Sequence, residues 1–247
     1  MPDKAWFKDW FNSHYYHLLY QHRDDQEALA FIDTLINYLR PAPDAFMLDV
    51  ACGKGRHSKA LAEMGYDVTG IDLSAASIAA AKKEETENLH FYQHDMRLPF
   101  RVNYYDFAFN FFTSFGYFRT RREHDNAIRT ISQSIKKGGF FIIDYLNVHY
   151  AENHLAKSFK ADIGDVSFHI TKWQDEEHFF KQIQITDRTH TSPHHLYTER
   201  VAKFSLGDFT DMMSYQRMQV QEVFGDYQLG RYDVNHSPRM IIIARKN

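Results

Sequence analysis

Cysteine is nearly missing from this chain: Cys52 stands alone among 247 residues. One thiol closes no disulfide framework, which points to a reducing compartment. No apolar run approaches the length that spans a bilayer, and no charged-then-apolar leader pattern opens the sequence. Blocks of basic residues are missing too. With 29 Lys and Arg against 32 Asp and Glu, the formal net charge is −3, which argues against a nucleic-acid surface. Neither an internal repeat nor a low-complexity linker is visible. The 15 histidines do not form a metal pattern: His14 with His17, and His190 with His194, would share a helix face, but without an acidic partner or an H-E-x-x-H. These absences lead us to expect a soluble, cytoplasmic protein with no metal, membrane or nucleic-acid partner, its oligomeric state open.

What is present is patterned for an α/β fold, in a chain long enough to bury a full core. Residues 1–40 read as a helical segment: Asp24-x-x-Glu27 has the form of a capping box, and Ala28, Phe31, Ile32, Leu35 and Leu39 recur at helical spacing before Pro41. Residues 45–147 alternate strand and helix five times, with helices near 56–64, 74–86 and 122–137, which implies a parallel sheet covered on both faces. The stretch 158–204 changes character. Its runs 167–173, 179–186 and 195–201 alternate like half-exposed strands, so we expect an inserted antiparallel β lid over the active-site edge. A helix at 206–217 and strands at 219–224 and 239–245 close the main domain, 41–157 with 205–247.

The most informative run is Met47-Leu48-Asp49-Val50-Ala51-Cys52-Gly53-Lys54-Gly55, followed later by Gly70-Ile71-Asp72-Leu73. An apolar strand enters a small-residue turn that opens a helix, and the next strand ends in an acid. Small residues let a ligand approach the backbone, and the later carboxylate suits the two hydroxyls of a ribose. Asp49, just before the turn, would repel a pyrophosphate but suits a sulfonium or an ammonium. A dinucleotide site would also show a third glycine.

At these residues the chain resembles the class I S-adenosylmethionine-dependent methyltransferases. Asp49, Gly53 and Gly55 match the family's first motif, and Asp72 matches its ribose acid. Ala51 stands where a glycine is frequent. Alanine resists a strongly positive φ, which predicts a slightly different turn. Further matches follow in order: Asp95-Met96 after a third strand, Asn110-Phe111-Phe112 at the end of a fourth, and Lys137-Gly138-Gly139 leading into a fifth. The resemblance covers residues 45–150 well and 205–247 loosely. It implies a seven-stranded, mostly parallel, doubly wound Rossmann-like sheet whose last strand is antiparallel. It also implies S-adenosylmethionine as cofactor, leaving as S-adenosylhomocysteine, held by Asp49, Ala51, Cys52, Gly53, Gly55, Asp72, Leu73, Asp95, Met96, Asn110 and Phe111. Arg23 would pair with the methionine carboxylate.

Methyl transfer needs the acceptor lone pair held behind the methyl group, an unprotonated amine or a base for a hydroxyl, and aromatic or acidic groups around the cation. His149 and Tyr145, after the fifth strand, are the base candidates. Tyr16, Phe112, Tyr117, Asn147, Tyr227 and Arg231 are the expected acceptor contacts. Asn110-Phe111-Phe112-Thr113 lacks the Pro-Pro of amino-methylating DNA enzymes, which favours a small-molecule acceptor, methylated on N or O. Two other readings remain open at this stage: an NAD(P)-dependent oxidoreductase and a non-catalytic S-adenosylmethionine-binding protein.

Overall fold

The first strand, β1 (Phe46–Val50), sets the architecture. Its alternate residues go to opposite faces, as pleating requires: Met47 packs with Phe31, Leu61 and Phe109, and Leu48 with Tyr105, Ile128 and Phe141. A strand apolar on both faces must lie inside a covered sheet. The structure, a computed structural model, describes residues 6–20, 25–189 and 194–247.

Three helices precede β1: α1 (Trp6–Phe11), α2 (His14–Leu19) and α3 (Asp25–Leu39). After it come α4 (Arg56–Glu63), β2 (Asp67–Asp72), α5 (Ala75–Ala81), β3 (Leu89–Gln93), β4 (Tyr105–Asn110), α6 (Arg121–Ser134) and β5 (Ile135–Leu146). A short α7 (Val148–Asn153) leads into four strands, β6 (Ser158–Ile163), β7 (Val166–Gln174), β8 (His178–Asp187) and β9 (His194–Ala202). The chain ends with α8 (Leu206–Ser214), β10 (Met218–Phe224) and β11 (Arg239–Lys246).

The main sheet has the order β10-β11-β5-β4-β1-β2-β3. All its pairings are parallel except those of β11, which runs antiparallel to both β5 and β10. That is the seven-stranded, doubly wound arrangement expected. The strand order reverses between β1 and β4, and ligands bind at the carboxyl ends of strands flanking such a reversal. Strands β6 to β9 form a separate sheet, antiparallel throughout. A third apolar core joins it to the N-terminal helices: Trp10 and Tyr15 pack with Phe168, Ile170, Ile183 and Ile185. Among the described residues no helix is long and apolar enough to cross a membrane.

Several local expectations are corrected. The second sheet has four strands rather than three, because β6 is a mostly exposed edge strand without the apolar alternation that marks its neighbours. The helix expected to reach residue 137 stops at Ser134. Strand pairing takes over at Ile135, and a register shift around Gly138, at φ +83°, carries the chain into the straight part of β5. Gly139 lies inside this irregularity, where a Cβ would come within 2.7 Å of the Asp106 carbonyl. The capping residue Asp24, like His190, lies outside the described residues.

Candidate active site

The turn after β1 opens a cleft. Ala51, Gly53 and Gly55 all adopt positive φ, at +61°, +58° and +84°. Ala51 thus takes the left-handed conformation that its side chain disfavours, and the sequence bears strain where a glycine would relieve it. Gly55 has no room for a side chain, since a Cβ would lie 2.3 Å from Phe91 Cζ. Nothing lies within 4 Å of the Cβ position of Gly53, so the turn is open above its backbone. Cys52 is buried, its thiol side packed toward Gly70, and burial pushes its ionisation well up. It contributes backbone to the turn and no nucleophile.

Asp49 is buried behind the turn and accepts a 2.6 Å hydrogen bond from Ser58 Oγ at the start of α4. Burial pushes its carboxyl up to about 6, against the opposing effect of Ser58. Asp72, at the end of β2, accepts from the Gly53 amide at 2.9 Å and from the Ser74 amide at 2.7 Å. The two turns are thereby tied together across the β1–β2 pair. An ionised carboxylate has about four lone-pair sites, so acceptor capacity remains for a hydroxyl donor. Burial raises the Asp72 carboxyl as well, and its backbone donors oppose the shift.

The inner cleft is lined by Ala51, Gly53, Asp72, Leu73, Asp95 and Met96 on the main-domain side. Its other walls are mostly rings: Phe7, Phe11, Tyr16 and Tyr20 from the N-terminal helices, Phe112 and Tyr117 from the segment after β4, with Glu199 from β9. A contiguous outer part reaches Asp49, Cys52, Lys54, Arg56, His57 and Phe111. Asp95 is oriented by Arg97, whose Nη2 lies 2.6 Å from Oδ2 and which also pairs with Glu123 at 2.6 Å. Asn110 is fully buried: its Nδ2 donates to the Val50 carbonyl at 2.9 Å, while Oδ1 has no hydrogen-bond partner among the described residues.

Phe112 and Thr113 follow β4 at φ +54° and +57°. Two consecutive non-glycine residues in this region are held only where surrounding contacts over-determine them, and such strain gathers at functional sites. Here Asp144 supplies the contacts. Its Oδ2 accepts from the Phe112 amide at 2.8 Å and its backbone carbonyl from the Thr113 amide at 3.0 Å. The ring of Phe112 then stacks on His57 at 5.1 Å, with the Arg56 guanidinium 4.8 Å from its centroid.

Several expected contacts lie elsewhere. Tyr145 is fully buried, donates its hydroxyl to the Ala202 carbonyl and sits against Gly116, so it is a strut between β5 and the second sheet. His149 is exposed on α7 and borders a separate hollow with Asn147 and Tyr232. Neither lines the cleft, and both base assignments are corrected on that ground. Asn147 is buried and spends its amide on the carbonyls of Val234 and Ser237, at 2.9 and 2.8 Å, fixing the β10–β11 loop. Tyr227 donates to Asp144 at 3.2 Å and packs behind Phe112 rather than in the cleft. Arg231 is exposed where the same loop folds back on Phe224. That loop does lie at the carboxyl end of β5, as expected, but two strands away from β1. Arg23 lies outside the described residues. Phe7, Phe11, His94 and Glu199 line the cleft unannounced by any motif.

The donor set fits S-adenosylmethionine. A carboxylate beside an uncovered glycine turn and an aromatic, acidic enclosure suit a ribose and a cation. Among the described residues no cluster of three His, Cys, Asp or Glu side chains could hold a metal.

Comparison with known proteins agrees with the geometry. Residues 48–143 match the model of a methyltransferase domain. The chain is 31% identical over 100 residues to a dTDP-3-amino-3,4,6-trideoxy-alpha-D-glucopyranose N,N-dimethyltransferase of Streptomyces venezuelae, covering 40% of this chain and 41% of that one. The chain spans about half or less of the length of the curated relatives it matches. Over nearly its whole length it shares the fold of a S-adenosylmethionine-dependent methyltransferase from Clostridium acetobutylicum, with a TM-score of 0.76 at 16% identity, covering 94% and 96% of the two chains. The sugar N-methyltransferase KedS8 from a Streptoalloteichus species superposes similarly, at TM-score 0.74 and 20% identity, covering 94% and 92%.

Proposed function

We propose that this chain is a class I S-adenosylmethionine-dependent methyltransferase that transfers its methyl group to nitrogen or oxygen of a small-molecule acceptor. The observation that carries the reading is the Asp72 carboxylate fixed over the open Gly53 turn, at the point where the strand order reverses. Small-molecule substrates named for similar proteins, amino sugars among them, support the acceptor class. The enclosure is in keeping with that class, since rings from α1, α2 and the segment after β4 wall the cleft.

When bound, S-adenosylmethionine supplies a methyl group made electrophilic by its sulfonium. The chain does the rest. Asp72 receives the ribose hydroxyls, and Leu73 and Met96 supply apolar walls for the adenine. Asp95, oriented by Arg97, stands at the adenine end. Asp49, behind the turn, favours positive charge nearby. Phe112 and the rings of Phe11, Tyr16 and Tyr117 exclude water and offer π faces to a cation, which serves both proximity and charge stabilisation.

Calorimetric titration with S-adenosylhomocysteine beside NADH tests this. Micromolar binding of the thioether ligand with none of NADH is expected. Binding of NADH alone would return the oxidoreductase reading, and silence from both would sink the cofactor site.

A further inference from the structure

The second sheet ends on one side in β6, and among the described residues no strand pairs with the outer edge of β6. Its inner edge pairs with β7 in the register Phe159↔Ile170, Ala161↔Phe168 and Ile163↔Val166. The Lys172 amide donates to the Lys157 carbonyl at 2.8 Å, which fixes the phase of that ladder. Lys157, Phe159, Ala161 and Ile163 therefore spend their backbone groups on β7, while Ser158, Lys160 and Asp162 turn theirs outward. β6 holds no proline, and its register with β7 runs without a bulge. Such an edge is a template for another strand.

The side chains along β6 are complementary to themselves. Lys160 and Asp162 lie on one face, both exposed, and neither forms an ion pair among the described residues. Phe159, 43% exposed, and Ile163 lie on the other face. Antiparallel pairing with a second copy of β6 matches faces and uses the outward backbone groups only when Ser158, Lys160 and Asp162 meet one another. Setting Lys160 against its own copy opposes two ammonium groups, and setting Asp162 against its own copy opposes two carboxylates. Both registers are repulsive. A two-fold axis at Ala161 instead sets Lys160 opposite Asp162 on each side of the axis. The same register sets Phe159 opposite Ile163 in a non-hydrogen-bonded pair, where side chains stand closest. It also brings the exposed Lys157 toward the exposed Asp165 in the β6–β7 turn of the second copy.

We propose that the outer edge of β6 is a self-association surface and that its partner is a second copy of this chain. The two four-stranded sheets then join into one continuous sheet about a two-fold axis at Ala161. The pairing supplies about four backbone hydrogen bonds, with an ion pair and an aromatic–aliphatic pair on each side of the axis. So short a ribbon buries less than a standard interface of about 1,600 Å², so the dimer is weak and forms with rising concentration. The inference goes beyond the methyltransferase reading and does not depend on it: β6 lies across the sheet from β9, whose Glu199 lines the cleft.

Sedimentation velocity of the full chain, from micromolar to submillimolar concentration, tests this. A reversible monomer–dimer equilibrium is expected. Lys160→Glu sets a carboxylate against Asp162, and Asp162→Lys sets an ammonium against Lys160, so each variant alone should dimerise at least tenfold more weakly. Mixed in equal amounts, the two variants should pair with each other, because both contacts then join opposite charges. Their association should return to the level of the unaltered chain. Ala161 is the residue that meets its own copy, so Ala161→Cys should cross-link under oxidised glutathione at least tenfold faster than Ser158→Cys. Cys52 is buried and stays out of that reaction. A monomer throughout the series overturns the proposal. So does a dimer that survives both charge reversals, which would lie on another face, and so does a mixture no more associated than its components. Equal cross-linking at Ser158 and Ala161 overturns the register.

Discussion

Arg239, the first residue of β11, places Nη2 2.6 Å from Oδ1 of the fully buried Asp144 on β5. The same guanidinium donates to Thr113 Oγ1 at 3.0 Å, and the other carboxylate oxygen receives the Phe112 amide. One ion pair therefore joins the antiparallel strand to the strained turn that carries Phe112 into the cleft. Burial of the guanidinium is offset by Asp144, which keeps its ionisation raised.

Asp144→Asn should be costly. It leaves Arg239 charged and without its counter-ion, a loss of about 3–5 kcal/mol for a broken buried pair. Urea unfolding of the two proteins measures it. The double variant with Arg239→Met should recover part of that loss, because it removes the stranded charge.

Asp72→Ala should lower S-adenosylhomocysteine affinity by about 1–3 kcal/mol, since ribose hydroxyls would lose a charged acceptor. Titration calorimetry on the folded variant reads this directly. Undiminished affinity would take Asp72 out of the site.

Asp49 makes stability depend on pH in the less usual direction. With its carboxyl raised from 3.8 to about 6, the folded chain keeps a proton between those values that the unfolded chain releases. The stabilising contribution is present below the unfolded value and is lost as pH rises through about 6, leaving a cost of roughly 3 kcal/mol at neutrality. Asp72 shifts the same way. Thermal melts of ligand-free Asp49→Asn should therefore show a gain over the parent at pH 7.5 that shrinks at pH 4.5. A cationic ligand favours the ionised acid, so the parent's cofactor affinity should weaken as pH falls through about 6.

Two substitutions in the turn should behave oppositely. Gly55→Ala meets Phe91 and a φ of +84°, and should cost about 2–4 kcal/mol from left-handed strain and overpacking together. Ala51→Gly relieves strain at φ +61° while adding freedom to the unfolded chain, so it should stay within about 1 kcal/mol of neutral. Melting temperatures of the pair decide it.

The parts of the site built from contiguous chain were legible in the sequence. Asp49, Gly53, Gly55 and Asp72 are fixed by a strand, a turn and the strand beside it, and the local pattern carries the geometry. Tyr145 and Asn147 deceived because being next to the end of β5 does not decide which way a side chain points. Tyr145 turns into the core and Asn147 toward the β10–β11 loop. Glu199 was illegible for a different reason. It is one acid on an alternating strand, and only pairing between distant segments brings it beside Tyr20.

Trp10 and Glu199 lie 189 residues apart in the chain, and the cleft needs both. Trp10 and Tyr15 pack against β7, β8 and β9, so their burial waits on the second sheet. That sheet follows the first five strands of the main domain in the chain. Closure of the roof is thus among the last folding events, with a long loop to close before its contacts form. A ligand can be enclosed only after the sheet that holds its cofactor is in place.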